Sequence, residues 1–99
     1  MTKEQVLRVV EQYRAYLPLN GVVAPQCADL DLPPSRLEAT RHILLMCEQI
    51  EDIVEEDVEK AMRWLGFIQG VFWSSGTFSI NEMREHNTKG EGDEGKRAG

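Results

Sequence analysis

Long apolar runs are missing from this chain of 99 residues. No stretch approaches the ~20 consecutive apolar residues that span a bilayer. The two cysteines, Cys27 and Cys47, form no CxxC pair. GxGxxG, Walker, GxSxG and HExxH patterns are also absent, which removes the common local signatures of dinucleotide, phosphate, serine-hydrolase and zinc-protease chemistry. Positive charge is scarce: 11 Lys and Arg stand against 17 Asp and Glu, a net charge of -6. That balance disfavours direct nucleic-acid binding or an anionic membrane, and it allows a basic partner. The opening MTKEQ lacks the charged and apolar regions of a signal peptide, so a reducing cytoplasm is expected. In that setting both cysteines read as small, partly buried hydrophobes.

What is present is helical periodicity. Thr2 with Gln5 makes a capping box, after which Val6, Val9, Val10, Tyr13 and Leu17 recur at helical spacing. Pro18 disfavours helical geometry in the residue before it, so this first helix is expected over about 3–17. Asn20-Gly21 signals a turn, and Pro25, Pro33 and Pro34 break regular structure through a long connection. Val22, Val23, Leu30 and Leu32 make that connection apolar, as in an ordered arm lying across the helices or across a neighbouring subunit. Ser35 with Glu38 is a second capping box and opens a helix over about 36–54. Ala39, Ile43, Met46, Cys47, Ile50, Ile53 and Val54 form one face of it. Leu37, Leu44 and Leu45 point elsewhere, which is more apolar surface than one seam needs. They are covered either by the first helix and the arm or by a second subunit.

The most apolar stretch follows, EKAMRWLGFIQGVFW from Glu59 to Trp73. Acidic residues favour helix N-termini, so the turn is placed near Glu55, and Asp57 caps a third helix over about 58–74. Its apolar residues, Trp64 and Trp73 among them, spread over roughly 200° of the helical wheel, so more than one neighbour must cover it. Gln69 falls inside that arc and needs partners if buried. Gly66, Gly70 and Ser74 share a separate edge. Close approach of another backbone, or space for a ligand, would explain two glycines in a helix interior. Ser75-Gly76 ends the helix. Ser79 and Glu82 make a third capping box, with Phe78 and Met83 at hydrophobic-staple positions, opening a short helix over about 80–86. The polar remainder, 88–99, is expected to be disordered.

The expectation is an all-α protein. A single domain over 1–87 is built on an antiparallel hairpin of the second and third helices, with the first helix and the short last one packed on it. A domain this small buries only about 60–65% of its unfolded surface, and the apolar surplus predicts a homo-oligomer. Leu37, Leu44, Leu45, Trp64 and Phe67 are the candidate interface residues.

Candidate chemistry is thin. His42 and His86 lie on different helices without a ligand at metal spacing, so no metal and no cofactor are expected. Arg41, Arg63 and Arg84 suit either salt bridges to nearby glutamates or an anion site. Arg63 adjoins the glycine edge, where a guanidinium beside an open backbone would accept a phosphate. Arg63, Gly66, Gln69, Gly70 and Trp73 are therefore the candidate binding residues. Glu48-x-x-Glu51 with Glu82-x-x-Glu85 resembles the paired carboxylates of the MazG-type nucleotide pyrophosphohydrolases, which hold Mg²⁺ between facing helices. The second pair departs from that family's ExxD on a long helix.

The string KAMRWLGFIQGVFWSSGTFSINEMREHN resembles the C-terminal half of a family of short proteins encoded by bacteriophages and prophages. An R-W-L-G-F-x-Q-G core and a short capped helix ending in H-N carry the resemblance. It implies a phage setting in a host cytoplasm; that the protein binds rather than catalyses is expected from the missing catalytic motifs and the surplus apolar surface. The partner would be a host defence or regulatory protein, or, for an oligomeric sponge, a signalling nucleotide.

Overall fold

The computed structural model describes residues 1–25 and 35–88. These residues form four helices and no strand: α1 (Lys3–Leu19), α2 (Arg36–Glu56), α3 (Val58–Ser74) and α4 (Ile80–Thr88). The α2/α3 hairpin makes the most extensive interface, α1 packs across it, and α4 closes against α1. The bundle is all-α, as its periodicity requires.

Each start is fixed by a side chain that satisfies backbone donors of the first turn. The Gln5 N–H donates to Thr2 Oγ1 at 3.2 Å, and the Thr2 N–H donates to Gln5 Oε1 at 2.6 Å. Ser79 and Glu82 repeat the arrangement at α4, at 3.1 and 2.8 Å. The box at α2 is half made. The Glu38 N–H reaches Ser35 Oγ at 3.2 Å, but the Glu38 carboxylate is turned to Arg41 at 3.0 Å and does not reach back.

Two helix ends share one device. Gly21 (φ 83°) follows the C-cap Asn20, its N–H donates to the Pro18 carbonyl, and the Val22 N–H donates to the Leu17 carbonyl, each at 3.0 Å. Gly76 (φ 76°) follows Ser75, with its N–H on the Trp73 carbonyl and the Thr77 N–H on the Phe72 carbonyl. Both are Schellman closures, which need a left-handed residue that glycine adopts without strain. The first brings Val22 back into the core beside Leu17.

Several boundaries differ from the sequence expectation. α1 continues through Pro18 to Leu19. Proline in the final turn loses only its own N–H bond, and the Schellman donors satisfy the carbonyls behind it. α2 extends to Glu56, so the hairpin turn is the single residue Asp57. Asp57 caps both helices: its N–H donates to the Ile53 carbonyl at 2.8 Å, and its Oδ1 accepts from the Lys60 N–H at 3.0 Å. Glu55, unfavourable beside the α2 C-terminus, is offset by Lys3 Nζ at 2.7 Å. α4 runs to Thr88, two residues beyond its expected end. Cys27, the arm from 26 to 34 and the tail from 89 to 99 lie outside the described residues.

The core draws Val6, Val9, Val10, Tyr13 and Leu17 from α1 onto Ile43, Cys47, Ile50 and Val54 of α2 and Ala61, Leu65, Ile68 and Phe72 of α3. Leu44 belongs to it too, only 3% exposed. As a candidate interface residue it is a correction: α2 packs against both α1 and α3, and Leu44 is covered within the chain. Leu45 is half-buried, and Trp64 is half-buried against the core. Of the five proposed interface positions, Leu37 and Phe67 stand mainly in solvent, at 57% and 55%.

Candidate functional site

The residues singled out on α3 separate onto two sides of that helix. Gln69 faces inward. Its Nε2 donates to the Tyr13 hydroxyl at 3.0 Å and to Asn87 Oδ1 at 2.8 Å, and its Oε1 accepts from Asn87 Nδ2 at 3.2 Å. Both amide hydrogens are spent. Because Gln69 donates into the Tyr13 oxygen, the phenolic proton is free to point at His86 Nδ1, 2.7 Å away. The Tyr13 ring is fully buried and stands edge-on to Phe72 at 4.7 Å, with Phe78 at 5.7 Å and His86 at 5.4 Å. Burial pushes the Tyr13 hydroxyl up to about 12. Phe78 is the hub between the α3 closure and α4, 5.2 Å from Phe72, 5.0 Å from Tyr16 and 4.7 Å from His86. These contacts make Gln69 the partner that fastens α4 to α1 and α3.

The outer side is built differently. Arg63, Gly66, Phe67, Gly70 and Trp73 all lie exposed there, Trp73 at 58%. A Cβ placed on Gly66 or Gly70 meets nothing within 4 Å among the described residues. Close approach of a backbone from this chain, the ordinary expectation for that edge, is not what the described residues supply. The glycine edge is open, with an aromatic ring on either side.

Beside it runs a groove between α2 and α3, about 490 Å³ in volume, lined by His42, Met46 and Gln49 from α2 and Arg63, Trp64 and Phe67 from α3. Arg63 makes no hydrogen bond or ion pair among the described residues, whereas Lys3, Arg14 and Arg41 are paired with Glu55, Glu51 and Glu38. Arg41 also donates to the Val23 carbonyl at 2.8 Å, and Arg84 to Asn81 Oδ1 at 3.3 Å. His42 Nδ1 and Arg8 Nη2 are shut off from solvent without a hydrogen-bond partner. Such an atom costs about 1–3 kcal/mol.

The groove residues of α2 escaped the sequence reading. His42, Met46 and Gln49 recur at i, i+4 and i+7, the spacing of one helix edge. Nothing along the chain says that this edge meets Arg63 and Phe67. Of the carboxylates in the pyrophosphohydrolase reading, Glu51 is held by Arg14 and Glu48 is exposed. No three His, Cys, Asp or Glu among the described residues are placed to hold a metal ion. Cys47 is fully buried, and burial pushes its thiol up to about 12, so it is a packing residue rather than a nucleophile. No described helix is long and apolar enough to cross a membrane. Compared with known proteins, the chain matches no family model, no curated protein and no solved structure.

Proposed function

We propose that this chain works by binding a protein partner through the outer face of α3, as a non-enzymatic accessory protein. In the phage setting suggested by the R-W-L-G-F-x-Q-G resemblance, the partner is a host defence or regulatory protein that is inhibited by being held. One observation carries the reading: Phe67 and Trp73 stand in solvent on either side of an open Gly66–Gly70 edge. Rings are costly to leave wet, and glycines lower helix stability by about 1 kcal/mol each. Together they suit a partner helix whose backbone approaches the glycines while the two rings enter its surface.

The test is capture from host lysate with wild type and with a Phe67→Ala/Trp73→Ala variant, whose exposed changes leave folding intact. One stoichiometric partner retained by wild type and lost by the variant supports the proposal. Equal recovery by both, or no partner with either, overturns it. Self-assembly through the same two rings is the competing use of this face. Sedimentation of the purified chain distinguishes it: a dimer that the double variant dissociates assigns the face to a second copy.

A further inference from the structure

Arg63 is a cation without a counter-charge in an acidic chain, at the mouth of a groove whose floor and wall are apolar. We propose that the groove between α2 and α3 binds a small molecule with a flat aromatic ring and one oxyanion, a phosphate or a carboxylate. The inference stands apart from the protein-binding reading, because Trp64 and the three α2 residues of the groove belong to it alone, and only Arg63 and Phe67 are common to both surfaces.

Shape, surface and charge converge on this ligand chemistry. The volume of about 490 Å³ falls within the ~300–1,000 Å³ usual for small-molecule pockets. Trp64, Phe67 and the Met46 thioether present two ring systems and a polarisable sulfur, a surface suited to a flat ring. The Arg63 guanidinium offers a planar fork that matches a phosphate or carboxylate. The cations Lys3, Arg14 and Arg41 are already neutralised by glutamates, and Arg63 is not. His42 lines the facing helix, and Gln49 adds an exposed amide at the rim. The net charge of -6 repels polyanions at long range, so a ligand with a single oxyanion is favoured over one with several.

The two tryptophans provide the readout. Trp64 lines the groove and Trp73 does not, so their indole N–H resonances report binding and background separately. The probes are 5′-AMP for a phosphate and 1-naphthoate for a carboxylate, with adenosine and inorganic phosphate as the ring-only and anion-only controls. A saturable shift of the Trp64 resonance is expected with at least one probe at millimolar concentration, while Trp73 stays in place. Arg63→Gln should weaken that binding about tenfold or more, and added salt should weaken it further. A Trp64 resonance unmoved by both probes overturns the proposal, as does an unchanged affinity in Arg63→Gln. A shift reproduced in full by phosphate alone also overturns it. Trp73→Ala leaves this binding untouched while removing protein capture, so each proposal fails by its own measurement.

Discussion

The two sides of α3 are one helix solved in two ways. On the inner side a polar residue sits within an apolar arc, and every hydrogen it can donate finds an acceptor: Gln69 meets Tyr13 and Asn87, and Tyr13 meets His86. On the outer side, glycines stand without neighbours, a cation without a carboxylate, and aromatic rings in water. A group satisfied inside the chain has little left to offer a ligand, whereas an unmatched group keeps its full capacity. The difference separates architecture from candidate function within a single sequence run.

Substitutions that treat the two sides alike should break this contrast or sharpen it. The largest effect is expected at Phe72, fully buried against Tyr13 and Phe78. Phe72→Ala should cost about 3–5 kcal/mol in urea unfolding, a large share of the roughly 5–15 kcal/mol of a whole domain. Phe67→Ala, five residues earlier on the same helix, should stay within about 0.5 kcal/mol. Comparable losses at the two positions would remove the basis for calling one side open.

Alkali comes next. Tyr13 and Cys47 both titrate higher in the folded chain than in the unfolded one, each lifted to about 12 by burial. A raised folded value gives stability that is complete below the unfolded value, near 10 for Tyr13 and 9 for Cys47. It is lost as pH rises through about 12. Tyr13 alone should account for on the order of 2 kcal/mol of that loss. Thermal midpoints should therefore fall steeply between roughly pH 10 and 12, and more shallowly in Tyr13→Phe.

Gln69→Leu should cost about 1–3 kcal/mol, because it strips the Asn87 amide and the Tyr13 hydroxyl of their partner. Amide exchange in α4 should accelerate more than exchange in α2, since α4 is what the network holds. Uniform acceleration would place Gln69 in general packing instead. The smallest effect has the opposite sign: Gly70→Ala should stabilise the isolated chain by about 1 kcal/mol, because its new methyl meets no described atom and alanine is the better helix former. The same variant should lose partner capture. Stability up with binding down is the signature of a glycine kept for an intermolecular contact.

Much of this bundle was legible along the chain. Thr2, Ser35, Asp57 and Ser79 announce four helix starts because a cap is a local arrangement, read within three residues. Gly21 and Gly76 announce two ends for the same reason. Pro18 misled by two residues, since the cost of a proline depends on how many carbonyls remain to be satisfied behind it. Leu44 misled more seriously. Its position on the wheel of α2 is plain, but whether another helix of the same chain covers it depends on packing between α1, α2 and α3.

The candidate site shows the same division. That Gln69 would need partners was evident from its place among apolar residues. That Tyr13, Asn87 and His86 supply them was not, because those residues come from α1 and α4, far away along the chain. Periodicity and capping act over a few residues, and they alone determined four helices, their polarity and most of their buried faces. Contacts between residues distant in sequence decided the rest: Leu44 went inside, Gln69 was spent on a latch, and His42 was set opposite Arg63. The openness of the Gly66–Gly70 edge belongs to that second class. Glycine permits close approach by its lack of a side chain, but only the arrangement of the helices decides whether anything approaches.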